Sequence, residues 1–329
     1  MSAIAPTVQM FFTDRLVKQR QASPHTIAAY RDVLRLLFVF VQNRTGRSPA
    51  KLDWDDLDHH TISAFLEHLE TERHNSARTR NARLGALRSL FHYAALQHPE
   101  HADLIARVLA IPPKRFDRAS VSYLTTLEVD ALLAAPDPER WEGRRDHAML
   151  MLCIQTGLRV SELTGLNCAD VAIGTGAHVR CLGKGRKERA IPLTIPTSAV
   201  MREWLIERGG GPGDPLFPTR TGRRLSRDAI AQRLNTHHAV ASETCSPLTT
   251  KKLSPHTLRH TTAMTLLQAG VDTTVIALWL GHADTRSTNA YLHADMTIKE
   301  RALARTTPVD SPPGRFKPAD TLLAFLEGL

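Results

Sequence analysis

His178-Val179-Arg180-Cys181-Leu182, then Gly183-Lys184-Gly185-Arg186, then Arg189-Ala190-Ile191-Pro192-Leu193, marks a change in the pattern of the chain from helical to extended. Two short runs flanking a glycine-rich basic turn predict a β-hairpin. Its surroundings read as helix. Upstream, Thr126–Ala135 and Arg145–Gln155 carry helical patterning, and the second is followed by Thr156-Gly157. Downstream, helices are expected at Arg227–His238, Thr257–Ala269 and Thr273–Leu280, with Gly209–Pro215 as a loop. The expected fold class is therefore mainly α with a small β-sheet.

Further out, 329 residues suit two domains better than one core. Ser23-Pro24 opens an amphipathic stretch with Ile27, Tyr30, Leu34, Leu37 and Phe38 at helical spacing, and Thr45–Pro49 breaks it. Two more helices are expected, at His60–Glu70 and at Arg78–Leu96. The polar side of the last carries Arg80, Arg83 and Arg88. That face suits a phosphate backbone, or is simply solvated. Pro112, Pro113, Lys114, Arg115 and Arg118 then form a Pro-rich basic stretch poor in apolar residues. The organisation that follows is a helical domain at 1–111, a basic linker at 112–122, a second domain at 123–306 and a tail at 307–329. Lys114 and Arg115 join the three helix arginines as candidate DNA contacts.

Composition narrows the class. A hydrophobic share of 42% is ordinary for a globular protein, and no apolar run approaches the ~20 residues a membrane span needs. The start of the chain has neither a basic head nor a long apolar stretch, so a cytoplasmic location is expected. Cys153, Cys168, Cys181 and Cys245 form no Cys-x-x-Cys pair, which argues against a disulfide framework or a cysteine zinc site. Lys and Arg number 42 against 33 acids, a net charge of +9 that favours polyanionic partners.

The second half of the chain concentrates chemistry. Arg159 and Glu162 lie in Thr156-Gly157-Leu158-Arg159-Val160-Ser161-Glu162-Leu163, and Lys184 on the hairpin turn. His256 and Arg259 lie in His256-Thr257-Leu258-Arg259-His260, and His282 ends Leu280-Gly281-His282, with Tyr291 beyond it. Metal-free cleavage of a phosphodiester needs such a set. Two arginines clamp the charge that develops on the non-bridging oxygens. A lysine protonates the leaving oxygen, a histidine assists the attacking hydroxyl, and a tyrosine nucleophile conserves the bond energy so that rejoining needs no ATP. Each residue alone has an ordinary explanation, such as an Arg159–Glu162 pair one helical turn apart. The order and spacing of all of them are far more restrictive.

Those strings, with Gly-Lys-Gly-Arg-Lys-Glu-Arg at 183–189, resemble the tyrosine recombinase (phage integrase) family, nearest its Xer-like and mobile-element branches. The resemblance covers most of the chain. It implies a helical, SAM-like core-binding domain that grips DNA, an α/β catalytic domain, and a clamp around duplex DNA. It implies that Arg159 and Arg259 bind the scissile phosphate, that Lys184 is the general acid, and that His256 assists proton transfer. By the same token His282 hydrogen-bonds the phosphate and Tyr291 forms a 3′-phosphotyrosine link. Glu162 is implied as a partner that orients the site, and His260 as structural. The expected partners are double-stranded DNA and a homo-tetramer at synapsis, with related recombinases as further partners. No cofactor, metal, membrane or small-molecule substrate is expected. The segment 196–253 and the tail depart from the compact Xer pattern. That favours integration, excision or transposition of a mobile element over Xer-type resolution of chromosome or plasmid dimers. Leu322, Leu323, Phe325 and Leu326 in the tail suit docking on a neighbouring protomer or on their own domain.

Three rivals are weaker. A non-catalytic DNA-binding protein has no use for this set of side chains. His256 and His260 have the spacing of a zinc pair, but Thr-Leu-Arg lies between them and Arg259 would repel a cation. Gly183-Lys184-Gly185 lacks the spacing of a nucleotide-binding loop. Within the family, type IB topoisomerases share the chemistry, but the motif wording and two-domain length favour recombination.

Overall fold

The computed structural model describes residues 4–116, 121–183 and 187–281. The chain divides into two compact units, Met1–Ala119 and Ser120–Leu329.

In the first unit, side-chain caps set the helix starts at Pro24, His59 and Ala77. α1 (Ile4–Met10) runs into a wider π-helical stretch, Phe11–Gln19. α2 (Pro24–Thr45) begins where Ser23 Oγ accepts from the Thr26 amide, with proline at the first position, and ends on left-handed Gly46. Asp58 caps α3 (His59–Thr71) and Ser76 caps α4 (Ala77–Gln97), and α5 (Ala102–Ala110) follows. Phe11, Leu37, Trp54, Phe65, Leu87 and Phe91 are sealed in the core. Burying each such side chain stabilises the unit by roughly 1.5–3 kcal/mol.

Two expectations change here. Arg80 is not on an exposed face: it is buried, and its Nη1 donates to the Pro112 carbonyl at 3.0 Å. Arg88 donates to the Ile111 carbonyl at 2.5 Å. The Lys114 amide donates to Asn81 Oδ1, and its ammonium pairs with Glu70 at 2.8 Å. The stretch read as a linker therefore starts as a strap tied to α4: the Pro112 carbonyl gives buried Arg80 a partner beside Glu70, and the Ile111 carbonyl just before it takes half-buried Arg88.

The second unit opens with α6 (Thr126–Ala134), whose Thr125 and Glu128 form a reciprocal capping box. α7 (Trp141–Thr156) follows, then the short α8 (Val160–Gly165). The sheet is antiparallel, β1 (Val171–Ala172), β2 (His178–Leu182) and β3 (Glu188–Pro192), with Val179 opposite Ile191 and Cys181 opposite Arg189. Val179, Cys181 and Ile191 point inward, so the hairpin lies over the helical core, and β1 is a short addition to it.

Four helices complete this part of the chain: α9 (Ile195–Arg208), α10 (Arg227–Thr244), α11 (Pro255–Gln268) and α12 (Thr273–Leu280). α9 lies in the segment that the sequence pattern left unassigned. α7 contributes Ala148, Met149, Leu150 and Leu152 to a core shared with Leu132, Val179, Met201, Trp204 and Leu234. Cys153 and Cys181 are buried thiols whose pKa values burial pushes up to about 12 and about 11, so neither is a reactive thiolate at neutral pH. No helix among the described residues is long and apolar enough to cross a membrane.

Candidate active site

The site is assembled around the end of α7. Gly157 terminates that helix with φ +64, a conformation that L side chains rarely adopt. A Cβ there would lie 2.6 Å from Leu280 Cδ2, so glycine is required for space as well. The turn delivers Arg159 to the cap position of α8, where its amide donates to Glu162 Oε2 at 2.8 Å.

Glu162 is buried and holds two guanidinium groups. Its Oε1 accepts from Arg159 Nη1 and from Arg189 Nη1, each at 2.9 Å, and its Oε2 accepts from Arg189 Nη2 at 2.8 Å. Burial alone would raise the pKa of Glu162, but the bonds from Arg189 and Arg159 outweigh it and hold the carboxyl below its usual range. Arg189 Nε reaches across to the Trp279 carbonyl at 3.0 Å, tying β3 to α12.

Arg259 arrives from α11, whose first turn is capped by Ser254. Its Nη1 donates to the Gly157 carbonyl at 2.6 Å and its Nη2 to the Leu280 carbonyl at 2.5 Å. Arg159 Nη2 donates to the next carbonyl, Gly281, at 2.9 Å. Two guanidinium groups, from segments a hundred residues apart in sequence, thus hang on consecutive carbonyls at the C-terminus of α12. That is the end of a helix where cations are favoured.

His256 lies one turn before Arg259 on α11 and is exposed. Partial burial of the ring, with the charges of Arg259 and Arg159, lowers its pKa, so it is neutral at pH 7 and available as a proton acceptor. Its ring meets that of His260 edge-on, with centroids 4.9 Å apart. The pKa of His260 is lowered to about 4 by burial, His256 and Arg259.

Of the residues singled out in the sequence, the structure brings together Arg159, Glu162, His256 and Arg259. Lys184, His282 and Tyr291 lie outside the described residues. In the first unit Arg80, Arg88 and Lys114 are engaged with protein groups as described, whereas Arg115 is exposed. Arg83 Nη1 is shielded from solvent yet has no protein partner, and burial and the nearby charge of Arg73 lower the pKa of this arginine.

Arg189 was missed as a member of the site, although the sequence carried a signal for it. It falls on the same alternating face of β3 as buried Ile191, opposite buried Cys181, and a charge on an inward face needs a partner. No group of three or more His, Cys, Asp or Glu suited to a metal ion occurs among the described residues.

Comparison with known proteins agrees with this arrangement. The profile of the phage integrase family matches residues 122–297, and that of the phage integrase N-terminal SAM-like domain matches residues 11–98. The integrase/recombinase y4rC of Sinorhizobium fredii is 51% identical over 328 residues, covering 100% of this chain and 99% of that protein. The tyrosine recombinase XerC of Pelobacter propionicus is 36% identical over 292 residues, covering 87% of this chain and 90% of that protein.

Among solved structures, the Tn1549 transposon integrase in complex with circular intermediate DNA shares the fold. It has a TM-score of 0.70 at 17% identity, covering 93% of this chain and 100% of that one. The XerH recombinase bound to its difH substrate does so with a TM-score of 0.68 at 22% identity, covering 87% and 81%. A family profile over more than half of the chain, and a relative matched from end to end, give one conclusion: the chain belongs to the phage integrase family of tyrosine recombinases, enzymes that cleave and rejoin DNA.

Proposed function

We propose that Arg159 and Arg259 bind the scissile phosphate of duplex DNA and that Tyr291 attacks it, leaving a 3′-phosphotyrosine link. The observation that carries this is the pair of guanidinium groups on the Leu280 and Gly281 carbonyls. Two like charges held side by side repel one another unless an anion joins them, and a phosphate with two non-bridging oxygens is the matching ligand. His256, neutral and beside both arginines, takes the hydroxyl proton; Lys184 protonates the departing oxygen; His282 hydrogen-bonds the phosphate. Arg83 and Arg115 keep the role of backbone contacts in the first unit. Glu162 orients Arg159.

The biological reading we favour is integration, excision or transposition of a mobile element, through a synaptic homo-tetramer. The end-to-end match to an integrase/recombinase supports it, as does the shared fold of a transposon integrase. The XerC relative supports dimer resolution as the alternative.

The test uses nicked duplexes cut from the DNA that flanks the gene, in excess chelator. The parent chain is expected to form a covalent protein–DNA complex that survives denaturant. Tyr291→Phe is expected to bind the same duplex and form none. A covalent complex in that variant would overturn the nucleophile assignment. Exchange between two labelled sites distinguishes a recombinase from a strand relaxer. Sites taken from element ends, against sites taken from the chromosome terminus, distinguish the two biological readings.

A further inference from the structure

We infer that Arg189 is a positioning residue for the cleavage step: it fixes and neutralises Glu162, so that Arg159 keeps its charge and its remaining N–H groups for the phosphate. The inference rests on Arg159 being a phosphate ligand, as proposed.

The argument begins with what Glu162 would do alone. A buried carboxylate bonded to a single arginine makes a closed, neutral pair, and such a pair attracts a phosphate weakly. Arg189 changes the balance, because two cations on one carboxylate leave a formal charge of +1 in the trio. Its fork occupies both carboxylate oxygens at 2.9 and 2.8 Å. The carboxylate is thus aligned without needing the fork of Arg159. Arg159 gives one N–H to Glu162 and one to Gly281. Three of the five N–H groups of an arginine side chain therefore remain for a ligand.

Exposure separates the two roles. The Arg159 side chain is 27% exposed and that of Arg189 is 12% exposed. Arg189 is also walled in: a Cβ on Gly281 would lie 2.8 Å from its Nη1, and one on Gly183 would lie 3.1 Å away. Its Nε is spent on Trp279. It faces protein on every side that these contacts define, so its effect on a phosphate passes through Glu162 and Arg159. A lysine is a single point charge and cannot hold both oxygens and the carbonyl at once.

The experiment is a double-mutant cycle on the full chain, read as the single-turnover rate of covalent-complex formation on the nicked duplex, with the Kd for that duplex measured in parallel. Arg189→Met is expected to slow the rate about 100-fold while Kd changes less than about 3-fold. Adding Glu162→Gln removes the unbalanced carboxylate and is expected to restore about 10-fold of the loss. An arginine that only holds the fold together gives no such rescue.

A rate for Arg189→Met within about 3-fold of the parent, or a double variant no faster than the single one, overturns the inference. Should Arg189→Met not fold, Arg189→Lys takes its place. Keeping the charge, it is expected within about 10-fold of the parent, and a loss of about 100-fold in the folded variant overturns the charge argument. Arg159→Met is the control: it is expected to lose cleavage with no rescue by Glu162→Gln. If Arg159→Met cleaves at the parental rate, the phosphate-ligand reading itself fails, whatever Arg189 does.

Discussion

Asp146 and Glu162 are both carboxylates buried in the second unit, each gripped by two arginines and held ionised, yet they serve different surroundings. Asp146 Oδ1 accepts from Arg145 Nε and Nη2 at 2.9 and 2.8 Å, and its Oδ2 accepts from Arg233 Nε and His237 Nε2 at 2.6 and 2.8 Å. Arg145 spends Nη1 on the Pro218 carbonyl, lies over the Trp141 ring, and is 3% exposed. Burial would raise the pKa of Asp146, but His237, Arg145 and Arg233 together hold it low. This cluster joins α7, α10 and the loop at Pro218, and it presents Arg145 to nothing. Around Glu162 the same ingredients leave Arg159 partly exposed with donors in reserve. The difference teaches that the ion pair itself does not make a site. Arg233, 34% exposed and bonded to Asp146 through Nε, keeps donors as well; what sets the Glu162 cluster apart is that Arg159 stands beside a second guanidinium, Arg259, on the adjacent carbonyl.

The comparison can be broken most sharply at Arg159. Arg159→Ala is expected to cut covalent-complex formation by about 10³-fold or more with little change in unfolding midpoint. A stable, fully active variant would put the Glu162 cluster in the same class as the Asp146 cluster. The opposite behaviour is expected of Asp146→Ala, which strands the buried guanidinium of Arg145 and takes the carboxylate partner from buried His237. Urea unfolding should show a loss of about 3–5 kcal/mol, while the cleavage rate per folded molecule stays near the parent's.

Gly157→Ala sharpens the contrast, because Gly157 belongs to both fold and site: its φ of +64 and the 2.6 Å approach to Leu280 predict a loss of about 1–3 kcal/mol. Its carbonyl also carries Arg259, so cleavage should fall with stability rather than independently of it.

The smallest effect is expected from pH. His260 has a folded pKa lowered from 6.5 to about 4. The unfolded chain therefore takes up that proton first as the pH falls. Its contribution is complete above pH 6.5 and is lost between 6.5 and 4, by about 1–2 kcal/mol after allowance for partial exposure. His260→Gln should flatten that part of a stability–pH curve measured by urea unfolding. An unchanged slope would remove His260 from the account.

The sequence made some of this legible and hid the rest for physical reasons. The hairpin and α12 were readable because glycines and apolar alternation punctuate them locally. Arg159, Glu162, His256 and Arg259 were readable because their motifs are contiguous strings. α9 was hidden: Pro196 near its start reads as a breaker, though proline there suits a first turn, and its inward face is only Thr197, Ser198, Met201 and Trp204. Ile4–Gln19 was hidden because much of its pattern departs from a regular α-helical period. Arg80 was misread because what buries it, Pro112 with Glu70 close by, lies ten or more residues away in sequence. The bond between Arg159 and Glu162 had seemed to compete with a functional reading. In the structure the pair exists and forms part of the site.

The two carbonyls that end α12 have a consequence for how the site meets its ligand. A carboxylate placed between Arg159 and Arg259 would have held them together by cancelling them, and an incoming phosphate would then have had to evict it. The Leu280 and Gly281 oxygens hold them without carrying any net charge, and, being backbone, they cannot dissociate. They act as a counter-ion of partial charge fixed in place. The arginine pair is preassembled, and Glu162, the carboxylate that bonds Arg159, is shared with Arg189, so a positive charge is left over.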